Sequence, residues 1–288
     1  MNLNDFLTNL TRLTFFVIGL VTLLSYLRHR DRTRFDIMLV FAVFAIAVTF
    51  QELAALNNND PTLNLLNGLA ALAQPYLQLR VVDHFRRVPF RIKVIGFGGM
   101  VLSWLLLPLI SPSLPFRQGL SIGATLTATL LIVVWFALVE GYATIAFIRG
   151  AITTAGVTRW RLGLASLGSA FIVLLAPELA LYTAAVTQFL SLASGVSYYL
   201  GFAPPRFLRH WWQSAELYHF LRDVNQIAPE KRGREILDRL CDAANRAVGA
   251  LASVVTQWRE REQQLSIVSA RTTRRALPPM GAFELSDG

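Results

Sequence analysis

Few residues of this 288-residue chain invite chemistry, and those few interrupt long apolar stretches. Glu52, Gln74, Glu140 and Gln188 each stand inside such a stretch, and Glu178 follows Pro177 between two more. An ionisable group at membrane depth is costly, so it is a functional candidate by default. Glu52, Gln74, Glu178 and Gln188 are the set that would converge on an outward-facing pocket for a small polar or cationic ligand. Gln74 also precedes Pro75, and a proline within a helix frees a backbone carbonyl to face a cavity. The competing reading of all four is interhelical hydrogen bonding that fixes packing. Glu140 is an intramembrane acid with no basic residue at its depth. It is a protonated acid suited to proton relay, a partner of Thr144, or a group reaching for the inner interface.

No catalytic set accompanies them. The chain has no phosphate-cradling glycine loop, no Cys or His metal cluster, and no nucleophile beside a His and an acid in a recognisable motif. No catalytic residue, metal ligand or cofactor is therefore assigned, and the chain as it stands is not read as an enzyme. His219 lacks the acidic and arginine context of a phosphoacceptor and reads as a solvated or interfacial histidine.

The elements that must carry these residues follow from composition. Hydrophobic residues make up 54% of the chain and charged residues 16%, against roughly 45–50% apolar, Gly included, in soluble proteins. Seven segments are long enough to span a bilayer: 7–27, 35–56, 62–82, 92–111, 119–148, 162–180 and 182–203. The last two share the 44 residues between Arg161 and Arg206, so they form a tight hairpin turning near Pro177 and Glu178. A covalently held retinal would need a lysine in the last span, but Lys93 and Lys231 are the only lysines and neither is there. Intramembrane haem is excluded likewise, because His29, His84, His210 and His219 all lie at or beyond the inner boundary.

The net charge of +9 reflects topology, not nucleic-acid binding, because the arginines gather in short connections. Alternate connections hold 14 Lys and Arg, and the N-terminal tail and the remaining connections hold Arg12 and Arg117. By the positive-inside rule the N-terminus is outside and the C-terminus cytoplasmic. Asp31, Asp36 and Asp83 lie among the inner arginines as local charge partners. Small residues from Gly123 to Thr129 and from Gly163 to Ala170 suit close helix packing.

Two adjacent prolines, Pro204 and Pro205, end the apolar part. They open a signal-relay joint, with Arg206, Arg209, Trp211 and Trp212 on the amphipathic helix that follows. That helix lies in the membrane interface or packs on a partner helix. From Arg232 a helical period runs to Gly249, followed by SVVTQW, a polar EREQQ turn and LSIVSA, the opening of an α/β domain. Cys241, the only cysteine, excludes an internal disulfide and belongs on a packed helix face. The fold class is thus mainly α: a seven-helix transmembrane domain over 1–203, a juxtamembrane linker helix over 204–231 and a partial α/β segment with a flexible tail over 232–288.

The exit GFAPPRFLRHWWQ, the helix ILDRLCDAANRAVGA and the two strands together resemble bacterial membrane-bound sensor proteins in which a seven-helix module precedes a GAF domain. The resemblance is specific only over residues 198–258. It implies a multi-pass inner-membrane protein and a homodimer, with the bilayer and a small molecule arriving from outside as partners and a kinase or cyclase output beyond residue 288. Residues 232–288 are too few for a whole GAF domain, so the segment reads as a truncated one. Two other classes fit the layout: a small transporter or channel subunit, and an accessory subunit of a membrane complex.

Overall fold

The computed structural model describes residues 3–111, 121–175, 184–225, 232–250, 252–259 and 264–272. Among them are nine helices and one two-stranded sheet. The chain divides into two compact units, Met1–Gly150 with Arg161–Ala203, and Ala151–Trp160 with Pro204–Gly288.

The first unit is helical: α1 (Leu3–His29), α2 (Arg32–Leu56), α3 (Pro61–Phe85), α4 (Phe90–Ile110), α5 (Ile122–Thr153), α6 (Gly156–Leu175) and α7 (Ala184–Phe202), the ends of α5 and α6 nearest each other belonging to the second. Local chemistry sets the boundaries. Asp31 caps α2 by accepting the Arg34 N–H at 2.7 Å, and Asp60 caps α3 through Thr62 and Leu63 with Pro61 in the first helical position. Asn58 and Asn59 turn the chain between these helices at φ 50° and 60°, a region asparagine tolerates. Around them α1 packs on α2 and α7, and α3 on α2 and α4.

Among the described residues, four helices are long and apolar enough to cross a membrane: Phe6–His29 of α1, then α2, α4 and α5. Their surfaces present Phe16, Leu24, Leu105, Leu130 and Leu138 at more than half exposure. Such surfaces suit hydrocarbon and make this a membrane protein. The described parts of the remaining three are less apolar, and several of their polar residues are buried. Gln74 and Gln78 of α3, Ser169 of α6, and Ser194 and Ser197 of α7 are all buried. The expected turn at Pro177 and Glu178 lies outside the described residues.

Close approach between α6 and α7 rests on glycine. A Cβ on Gly201 would lie 2.8 Å from the Arg161 carbonyl oxygen, and one on Gly168 would meet the Tyr198 ring at 2.9 Å. Both helices can touch only where these side chains are missing.

The second unit holds α8 (Arg206–Asn225), α9 (Arg232–Val248) and an antiparallel hairpin, β1 (Ala252–Arg259) and β2 (Gln264–Thr272), with an irregular register between Val255 and Thr256. The order helix, strand, strand is the one expected from residue 232 onward. α9 packs on α8 and on both strands, burying Cys241 and Asn245. Polar links fasten it: Ser253 Oγ donates to the Cys241 carbonyl at 2.9 Å, and Asp238 accepts from Ser269 Oγ and Arg271 at 2.6 Å each.

Candidate functional site

The predicted pocket residues separate into two places. At the end of the bundle where α1 and α7 begin, a cavity of about 320 Å³ opens among α1, α2, α3, α6 and α7. Thr11, Arg12, Gln51, Asn67, Gln188 and Ser191 are among its polar lining. Phe15 and Phe44, stacked at 4.9 Å, form an apolar wall. Gln188 is therefore a lining residue. Glu52 is not, but it pairs with Arg12, which is. Ala71, whose carbonyl is the one that Pro75 leaves without its helical donor, also lines the cavity. Glu178 lies outside the described residues.

Gln74 belongs to a second site, a buried polar core between α3, α5, α6 and α7. Gln78 Nε2 donates to Ser169 Oγ at 3.4 Å, and Ser169 Oγ lies 2.8 Å from the Tyr198 hydroxyl. The Tyr198 hydroxyl donates in turn to Glu140 Oε2 at 3.5 Å. Gln74 approaches the Glu140 carboxyl from α3. All five side chains are at most 1% exposed. Both amide atoms of Gln74, Oε1 of Gln78 and Oε1 of Glu140 still have no well-aligned hydrogen-bond partner. Gln74 is thus near Glu140 but misdirected. A buried polar atom without a partner costs about 1–3 kcal/mol, so four together are more than packing alone explains. Thr144 does not answer the carboxyl, because its hydroxyl donates to the backbone carbonyl of Glu140 at 2.9 Å.

From this core an aromatic path runs down α7. Tyr198 stacks on Phe202 at 5.7 Å and 12°, one helical turn on, and Phe202 also meets Phe85 and Phe147. Arg161 then closes the helix end, donating from Nε to the Gly201 carbonyl at 2.9 Å and from Nη2 to that of Phe202 at 3.1 Å. A cation on the last carbonyls satisfies groups a helix leaves open. The joint begins at once. Pro204 and Pro205 separate α7 from α8, Arg209 holds the Pro204 carbonyl at 3.4 Å, Trp212 is buried, and Arg206 and Trp211 are exposed.

A third cluster sits where α2, α3 and α4 approach their arginine-rich ends. Asp36, 6% exposed, pairs with Arg80 and lies 2.7 Å from His84, while Asp83 accepts from Lys93 at 2.6 Å and from the Val88 N–H at 2.8 Å. Burial pushes the Asp83 carboxyl up, but the Lys93 ammonium and the Val88 N–H outweigh it and hold the group below its ordinary range. Asp36 and Asp83 are charge partners here, as their sequence surroundings suggest.

Sequence reasoning missed Arg12, Arg161, Tyr198 and Ser169 as site residues. Arg12 and Arg161 registered only as loop charge, and a serine or tyrosine in an apolar helix gives no signal of which way it faces. Comparison with family models, curated proteins and solved structures returned no match to this chain.

Proposed function

We propose that the chain is a membrane sensory module: seven helices with the N-terminus outside, a polar cavity open to the outer side, and a cytoplasmic α/β unit to which the signal is relayed. The observation that carries this reading is the make-up of the second unit. It contains everything from Pro204 onward together with Ala151–Trp160, the connection between α5 and α6. Gly156 and Gly249, at φ +64° and +71°, sit against Arg246 and Thr158 within that unit. A change in the spacing of α5, α6 and α7 therefore reaches it along two covalent routes. Differential binding at the cavity would set which spacing is favoured.

Further support is indirect. The buried polar residues of α3, α6 and α7 fit them as interior spans of a seven-helix bundle. The alternation of basic connections fits the orientation. Val254, Trp258, Leu265 and Ile267 leave an apolar hairpin face uncovered, as expected where a GAF-type sheet continues into a kinase or cyclase output.

The test is a fusion of the chain to a reporter output. Ala47→Trp or Ala71→Trp fills the cavity and should shift the basal output. The same substitution combined with Pro204→Gly and Pro205→Gly should leave output at its unshifted level while the protein still folds. Identical shifts with and without the prolines would refute the relay. A second reading, a small transporter, is favoured by the unsatisfied core around Glu140. Solute or proton flux through the purified protein in liposomes would support it against the sensor.

A further inference from the structure

Helix α8 carries two different faces. One belongs to the packing of α8 on α9, where Trp212 is buried and Glu216 accepts from Arg246 at 3.0 Å. The other runs through Phe207, Trp211, Ser214, Tyr218 and Leu221, spaced i, i+4, i+7, i+11 and i+14, so they form a single stripe. Phe207, Trp211 and Tyr218 on it are 74%, 70% and 68% exposed. Three large aromatic side chains left open on one stripe need a cover.

We propose that this stripe lies in the lipid interface of the bilayer, on the side where α7 ends. The inference rests on α7 being a membrane span. α8 opens at Arg206, four residues after the last residue of α7, so the stripe begins within reach of the headgroups. Trp and Tyr combine an apolar body with a polar tip and prefer that depth. Arg206, His210 and Arg222 are exposed on the flanks of the stripe, whereas Arg209 lies on the other side of the helix. Of the two acids of α8, Glu216 is engaged by Arg246 and Asp223 pairs with Arg222, so the positive charge flanking the stripe is chiefly that of Arg206. A cationic and aromatic face is complementary to anionic headgroups. A second copy is the poorer occupant, because two-fold pairing of one stripe with itself brings like charges together.

The experiment uses the full chain in phosphatidylcholine vesicles, with and without phosphatidylglycerol. In a Cys241→Ala background, a spin label is placed at Ser214→Cys on the stripe or at His219→Cys, an exposed position off it. The label at 214 should collide freely with oxygen and be shielded from a water-soluble nickel complex, more so with phosphatidylglycerol, whereas the label at 219 should behave as aqueous. Arg206→Gln should weaken the shielding at 214. Equal aqueous behaviour at both positions would overturn the proposal, and so would strong spin coupling between copies at 214, which would assign the stripe to a dimer. If shielding is seen but residues 57 and 214 prove to lie on one side of the membrane, the interface stands and the sensory reading fails.

Discussion

Tyr198 ties the buried core together with one hydroxyl, which meets Ser169 at 2.8 Å and Glu140 at 3.5 Å. Tyr198→Phe keeps the ring and its stack on Phe202 but strands two more buried polar groups, so it should destabilise the first unit by about 1–3 kcal/mol. Thermal unfolding in detergent checks this, and an unchanged midpoint would mean that the hydroxyl bonds are not formed. Gly249 presents a different test. At φ +71° and against Thr158, an added Cβ is strained and crowded. Gly249→Ala should therefore cost about 1–2 kcal/mol, while Gly233→Ala, in helix α9 with open space around it, should be neutral or mildly stabilising. These residues were the hardest to read beforehand. The sequence shows that Glu140 and Gln74 are polar among apolar neighbours, but helices apolar almost all round give no phase. Nothing in the order of residues says that Tyr198 faces Glu140 or that Gln74 faces away from Gln188.

Elements were more legible. Proline pairs, caps such as Asp31 and Asp60, and runs of branched residues mark boundaries through local backbone chemistry, and those signals survive folding. The α9, β1, β2 order was readable for that reason. The part played by the α5–α6 connection in the second unit was not, because it joins residues almost a hundred positions apart in the sequence. At this scale the α3–α4 corner makes a pH prediction. Asp83 is held below its ordinary value of 3.8, so its contribution is complete above that value and is lost as the pH falls through the lower folded one. With its side chain about a third exposed, solvent moderates the effect. Asp83→Asn should make the acid limb of unfolding shallower, and an identical limb would show that the Lys93 pair does not stabilise this corner. Packing of α6 on α7 makes another. Gly201→Leu places a side chain on the Arg161 carbonyl and the Ala165 backbone, neither of which can give way. Loss of about 1–3 kcal/mol or more is expected, and normal stability would mean that the helices are further apart than described.

At the scale of the whole molecule, the proposed sensory reading places the polar cavity and the α/β unit on opposite sides of a bilayer. Among the described residues, four helices meet the length and apolarity of a span on their own. The proposal of seven depends on α3, α6 and α7 crossing as interior members whose polar residues face one another. The cavity lies towards the end of α2 that runs into Asn57, and Ala155 lies in the connection that joins the second unit. The most direct measurement is labelling of intact cells with a membrane-impermeant maleimide in the Cys241→Ala background, with single cysteines at Asn57, Ala155 and Ser214. Labelling of residue 57 in intact cells, with 155 and 214 reacting only after the membrane is opened, is the predicted result. Labelling of 57 from the same side as 155 or 214 would contradict it.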